Sequence, residues 1–336
     1  MRKIRMLLLL LATLLAAAAC SSSGSVNSSG GGSSGTKDTY TIATSNDPSR
    51  YMFYYALQQG LVPSSSVNLK VAYLPFAAAI AAAKSKQYPI VESNLVTTAQ
   101  EQAAGLGAKI FSPGLTDVGT TVIIVPKNSP ITSPSQLKGK KVGTVSLATS
   151  YMLETRDLLS GNFGLNTSLT GGDIQWSPIT SPTAMLATLA SGGLSAAVTN
   201  GSQTYTALYA QPNSDFRVLY PVTSNFTAIA PGPSISSTFD MYTSPDSVKA
   251  ADIPEIQRMI AASYAYFQQN ESAVIAQVAK EQDVSSALLK WEASLFGLQA
   301  GPFNDTQKTW FTTFLGVAAK LGSIKSAPPL ANLITG

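Results

Sequence analysis

From residue 39 onward, short apolar runs alternate with stretches whose apolar positions recur at i, i+3 and i+4, with Gly, Pro, Ser and Asn between them. The first pattern is that of buried strands and the second that of amphipathic helices. Residues 40–44 predict a strand and 45–49 a turn. Residues 50–59 predict a helix with Met52, Tyr55 and Ala56 on one face, stopped by Gly60. Strands at 67–73, 90–91, 108–111 and 120–125 enclose helices at 76–84 and 96–104.

After Pro126 the alternation restarts, with strands at 141–145, 174–176, 196–198 and 216–220 and helices at 151–159, 182–190 and 202–210. Ser49-Arg-Tyr-Met52 echoes Thr149-Ser-Tyr-Met152, each just after the first strand of its half. The alanine-rich helix and strand ending at Ser93-Asn94 parallel those ending at Asn200-Gly201. Strand–helix alternation written twice predicts two similar α/β lobes, each a mostly parallel sheet flanked by helices. Residues 253–269, 272–281, 285–294 and 305–321 are helical by spacing and are expected to pack back on one lobe.

Composition narrows the chemistry. The 336 residues include no histidine and one cysteine, Cys20, and only 12 % are charged. Ser-His-Asp and Cys-His catalysis, Cys/His zinc sites and an intrachain disulfide are thereby excluded, and neither cofactor nor metal is expected. Three of the four net positive charges lie at Arg2, Lys3 and Arg5. The remainder carries no clustered basic face, so nucleic acid is not an expected partner.

Residues 1–19 have a basic start, an apolar run and three alanines before Cys20, the pattern of a secretory signal peptide. A Ser/Gly-rich coil follows, so residues 20–38 are expected to be a flexible tether. The small residues before Cys20 resemble a bacterial lipobox. That likeness implies a lipidated Cys20 on the outer face of the bacterial cell membrane, at the cell surface or in the periplasm.

Several passages resemble the solute-binding proteins of ABC transporters, specifically the nitrate/sulfonate/taurine-like group. They are Gln58-Gln-Gly-Leu61 before Val67–Val71, the run Thr120–Gly143 with its Lys-Asn-Ser-Pro-Ile and Leu-Lys-Gly-Lys-Lys-Val, Ala148-Thr-Ser-Tyr151, and the helix–strand unit at 185–198. The resemblance implies the two-lobed type II periplasmic-binding fold: lobe 1 at 39–125, lobe 2 at 126–222, and a return to lobe 1 with the C-terminal helices at 223–336. Two hinge segments, near 124–127 and 221–224, join the lobes. It further implies a monomer that closes on a small-molecule ligand and hands it to an ABC permease and ATPase. A sensory lipoprotein passing its closed form to a receptor is the alternative, and an enzyme on the same fold is the weaker rival. Ala148, Ser195 and Asn200-Gly201-Ser202 depart from the family's pattern, so the ligand does not follow from the likeness.

Ligands in open α/β sheets gather beyond the carboxyl ends of strands. That rule selects four turns. Lobe 1 offers Ser45, Asn46 and Asp47, with Arg50 and Tyr51 just beyond, and Glu92, Ser93 and Asn94. Lobe 2 offers Ala148, Thr149, Ser150 and Tyr151, and Asn200 with Gly201; Thr223 joins them from the return crossing. Helix-start N–H groups there favour an anion, and Thr149 or Ser150 doubles as a helix cap. Glu92 opposes an anion unless Arg50 pairs with it, and unpaired it suits an amine or nitrogen heterocycle. Tyr51 and Tyr151 are candidates to stack on a ring. The residues leave open a small oxyanion or a pyrimidine-type heterocycle.

Overall fold

The computed structural model describes residues 37–85, 87–226, 234–242 and 248–335. The expected signal peptide, the lipidated Cys20 and the tether up to residue 36 lie outside the described residues.

The chain opens with β1 (Asp38–Ser45), α1 (Pro48–Phe53), α2 (Tyr55–Gln58), β2 (Val67–Leu74), α3 (Phe76–Ser85), β3 (Ile90–Ser93), α4 (Leu95–Ala103) and β4 (Ala108–Pro113). A short β5 (Leu115–Asp117) leads into β6 (Val122–Pro126), β7 (Lys141–Thr144), α5 (Ser150–Phe163), β8 (Gln175–Pro178), α6 (Pro182–Ala190), β9 (Ala196–Thr199), α7 (Ser202–Leu208), β10 (Phe216–Pro221) and α8 (Val222–Phe226). The return runs through β11 (Ser234–Ile235) and β12 (Thr238–Tyr242). It continues through α9 (Ile253–Gln269), α10 (Glu271–Gln282), α11 (Ser286–Leu295), β13 (Phe296–Leu298) and α12 (Asp305–Lys320).

These strands form two five-stranded sheets, ordered β2-β1-β3-β12-β4 and β10-β6-β9-β7-β8. Read from the opposite edge, the second has the order of the first, with β7 standing for β1 and β9 for β3. The register agrees as well: Ile42 pairs with Ile90 as Val142 pairs with Ala196. In each sheet four strands run one way and one is opposed. The opposed strand, β6 or β12, follows a change of lobe and is antiparallel to both neighbours.

A third sheet, β11-β5-β13, joins the lobes. Because β6 pairs with β9 and β10, it belongs to lobe 2. The outward crossing expected near 124–127 therefore falls earlier, between β5 and β6, and the lobe boundary expected at 125 moves with it. The return passes through β11 in the third sheet and reaches the first sheet at β12, downstream of 221–224.

Alternation along the strands fills the core on both faces, as covered sheets require. Ile123 and Val125 of β6 face the α5/α12 side, while Val122 and Ile124 face α6. In lobe 1, Phe53, Ile90, Phe111 and Phe239 meet α9, α10 and α11. These three of the last four helices thus pack within the lobe 1 cluster. The fourth does not pack on one lobe alone: Trp310, Phe311 and Phe314 of α12 share one buried cluster with Leu95 and Ile110 of lobe 1 and with Leu153, Leu158 and Phe226 of lobe 2. The helix expected over 50–59 breaks at Tyr54, which closes α1 and starts α2.

Candidate functional site

The four predicted turns converge on a cavity of about 90 Å³ between the lobes. Ser45, Arg50, Glu92, Ser93 and Asn94 line it from lobe 1, and Thr149, Ser150, Tyr151 and Asn200 from lobe 2. Each lies where a strand ends and a helix begins, so their convergence follows from the parallel β–α connections.

Glu92 is the most heavily bonded side chain here. Its Oε2 accepts from the hydroxyls of Thr44 (2.6 Å) and Tyr54 (2.9 Å). Its Oε1 accepts from Ser237 (2.7 Å) and lies 3.0 Å from Nη2 of Arg50. Four donors occupy the roughly four acceptor positions of a carboxylate. Burial alone would push this carboxyl up, but Arg50 and the three hydroxyls outweigh it and hold the group below its usual value. Arg50 in turn stays charged: desolvation opposes its charge, yet Glu92 and Asp47 raise its affinity for the proton. Its Nη1 donates to Ser49 Oγ (3.0 Å), its guanidinium lies 6.0 Å from the centre of the Phe296 ring, and its buried Nε–H has no hydrogen-bond partner.

Asp47 caps α1, accepting from the Ser49 amide (3.2 Å) and hydroxyl (2.6 Å). Its second oxygen accepts from Ser202 of lobe 2 at 2.9 Å, so it bridges the lobes beside the cavity. Gly201 abuts this bridge with φ 53° and ψ −132°, and a Cβ there would sit 3.4 Å from the Phe296 ring and 3.6 Å from Asp47 Oδ2. Asn94 caps α4 through the Thr97 amide (3.1 Å) and reaches the Ala148 carbonyl across the cleft at 3.4 Å.

The start of α5 is built differently. Thr149 occupies the cap position, yet its side chain makes no capping bond. The Ser150 hydroxyl turns to the Ser236 carbonyl (3.0 Å). The capping role weighed for these two residues is therefore not taken up by either, and the positive end of a 14-residue helix faces the cavity without a side-chain cap. The buried Tyr151 hydroxyl, near those of Thr144 and Thr149, satisfies no hydrogen bond with them.

Asn200 lines the cavity while its amide donates to Asp117 (3.1 Å), Thr120 (2.8 Å) and Thr121 (2.7 Å) at the lobe junction. Thr223 belongs to that junction: its hydroxyl donates to Asp117 at 3.3 Å, and it does not line the cavity. Tyr51 is also placed elsewhere, stacked on Tyr73 with ring centres 4.0 Å apart. Asn46 and Ala148 flank the cavity in their turns without lining it. The sequence reading missed Thr44, Thr97, Ser236 and Ser237, which do line it. The cluster Ser234-Ile-Ser-Ser-Thr238, hydroxyl residues directly before a strand, is the signal that identifies the last two.

The acceptor positions of Glu92 are filled. Asp47 caps α1, accepts from Ser202 and lies beside the Glu292 carboxyl, which burial and the Asp47 charge push up. Arg50 is the cationic group that lines the cavity. Among the described residues no group of three or more Asp, Glu or Cys side chains is placed to hold a metal ion, and no helix is long and apolar enough to cross a membrane.

The family described as "ABC transporter, phosphonate, periplasmic substrate-binding protein" matches residues 48–282. Similar solved structures include the periplasmic aliphatic sulphonate binding protein SsuA from Escherichia coli, 16% identical with a TM-score of 0.68 over 90% of this chain and 93% of that one. Another is the alkanesulfonate-binding protein SsuA from Xanthomonas axonopodis pv. citri bound to MOPS, 14% identical with a TM-score of 0.68 over 88% and 98%. A Candida albicans gene product exhibiting the generic periplasmic binding protein fold is 12% identical with a TM-score of 0.67 over 88% and 96%. No curated protein matches the chain in sequence. The lobes, their strand order and the interlobe cavity agree with that membership: the chain belongs to the phosphonate-type family of periplasmic substrate-binding proteins of ABC transporters.

Proposed function

We propose that this substrate-binding protein takes a small oxyanion, a phosphonate or sulfonate head group, into the cavity and closes its two lobes on it without chemical change. The observation that carries the reading is the pairing of an uncapped α5 N-terminus from lobe 2 with Arg50 from lobe 1, on either side of a cavity otherwise rich in hydroxyls. Helix-start amides and a guanidinium both favour tetrahedral oxyanions. Glu92, with its acceptor positions filled, orients Arg50 instead of meeting an ammonium group, which disfavours the amine and heterocycle readings. A ligand touching both lobes stabilises the closed form because only that form makes both sets of contacts.

The protein works outside the cytoplasm and hands its ligand to the permease of an ABC importer driven by an ATPase. The chain acts as a monomer anchored by lipid on Cys20, a reading supported by the position of the single cysteine just after the alanine run. With no histidine in the chain and Glu92 saturated, binding without catalysis is the reading the residues support. Calorimetric titration of the purified protein with methylphosphonate, ethanesulfonate, taurine, nitrate and a pyrimidine tests it. Methylphosphonate or ethanesulfonate should bind, and the amine of taurine should add nothing over ethanesulfonate. Binding of the pyrimidine alone would reverse the reading.

A further inference from the structure

Outside the cavity, the lobes also touch through α7 of lobe 2 and α11 of lobe 1. Thr204 and Ala207 turn one face of α7 inward. The Thr204 hydroxyl donates to the Thr120 carbonyl at 2.7 Å, and Ala207 packs with Val122 and Ile124. Tyr205 and Tyr209, the latter the residue that ends α7, are four apart and so neighbours on another face, and both meet Trp291. Both tyrosine rings lie 5.7 Å from the Trp291 ring, and they lie 6.1 Å from each other. Trp291 is held from behind by its own helix, whose Leu289 is buried in lobe 1. The Asp47–Ser202 bond and the close approach of Gly201 to Phe296 continue the same seam.

We propose that Tyr205, Tyr209 and Trp291 form an aromatic clasp that favours the closed arrangement of the lobes independently of ligand and thereby sets ligand affinity from outside the cavity. None of the three lines the cavity. Separating the lobes would pull the rings apart and return their faces to water. Aromatic contact of this geometry adds to simple burial, and it is made only while the lobes are together. Apparent affinity scales with the fraction of molecules in the binding-competent form. The clasp thus raises affinity for every ligand of the cavity alike and leaves selectivity to the lining residues. This inference rests on the two-lobe closure proposed above.

The test uses the full chain and the variants Tyr209→Ala, Trp291→Ala, their combination and Tyr209→Phe. Tyr209 is 54% exposed, so its truncation spares the core. Small-angle X-ray scattering without ligand should show a larger radius of gyration for Tyr209→Ala and Trp291→Ala, while Tyr209→Phe, which keeps the ring, should match the parent. With methylphosphonate as probe, each alanine variant should bind about three- to tenfold more weakly. The combined variant should lose little beyond the larger single effect, because one contact is removed twice. The ratio of methylphosphonate to ethanesulfonate affinity should stay constant. An unchanged radius in both alanine variants overturns the clasp, as does a fully additive loss. If neither probe binds the parent protein, the ligand assignment falls, while the scattering comparison still decides the clasp.

Discussion

Arg50 and Glu92 constitute one buried unit, and their energetics make opposite demands on the two partners. Breaking a buried pair by removing one member costs about 3–5 kcal/mol, because a charge is left without compensation. Arg50→Gln should therefore destabilise the protein by roughly 3 kcal/mol at neutral pH, with the three hydroxyls on Glu92 softening the loss. Its pH dependence is diagnostic. In the parent, the Glu92 carboxyl is held below its ordinary value, so its stabilising contribution is present above the unfolded value and disappears as pH falls through the folded one. Without Arg50, burial governs and pushes the carboxyl up, so the variant's deficit should shrink as the pH falls through the ordinary carboxylate range. Denaturant melts of parent and variant at pH 4 and pH 7 measure this, and equal deficits at both would contradict it. Arg50 and Glu92 were both legible in the sequence as candidates, since strand-end turns select them. Their roles were not, because the hydroxyls that saturate Glu92 come from Thr44, Tyr54 and Ser237, remote from it along the chain.

At the scale of elements, α5 carries a second buried carboxyl. Glu154 lies one turn beyond Ser150 and accepts from the Ser234 hydroxyl of β11. Burial pushes it up to about 8, with the charge of Asp117 adding to the effect. A raised acid keeps its proton in the folded state while the unfolded chain gives it up, so this group lowers stability as pH rises from the ordinary carboxylate range to about 8. Asp240, pushed up to about 7 by burial although Thr98 and Thr238 donate to it and pull the other way, acts in the same sense. Glu154→Gln should therefore be more stable than the parent at pH 8 by a few kcal/mol, on the order of 1.4 kcal/mol per pH unit of the removed slope. The two should converge near pH 4.5. Melting temperatures across that range check it. Gly201 supplies a second element-level prediction. Its positive φ of 53° is one that other residues adopt only under strain, so Gly201→Ala should cost about 1–3 kcal/mol, read as a lower melting temperature. The main helices and the parallel strands were legible because periodicity over many residues leaves a clear record. The strands β5, β11 and β13 were not, being two or three residues long with no room for a pattern. The opposed strand β12 was missed for a related reason, since its polar Thr238 and Asp240 are buried and break the apolar run.

Over the whole molecule, the small junction sheet and α12 decide how the lobes can move. Asp117 in β5 gathers amides of Gly119 (2.9 Å) and Thr120 (2.8 Å), the Thr120 hydroxyl (2.6 Å) and Asn200 from lobe 2 (3.1 Å). That knot ties the outward crossing to the Asn200 turn of lobe 2. On the other side, α12 joins both lobes through a common core in which Trp310 and Phe314 stack at 4.7 Å and Phe226 meets Phe314 edge-on at 6.1 Å. A shared core makes the lobes interdependent, since neither buries its α12 face without the other. Heat unfolding should accordingly be one cooperative transition in which both lobes are lost together. Phe314→Ala, which opens a cavity in that shared core, should lower stability by about 3–5 kcal/mol and shift the whole transition without splitting it. Differential scanning calorimetry with the calorimetric and van't Hoff enthalpies compared is the measurement. Two resolved transitions in the parent, or a Phe314→Ala variant in which only one of two transitions moves, would show that the lobes unfold separately and that α12 belongs energetically to one of them.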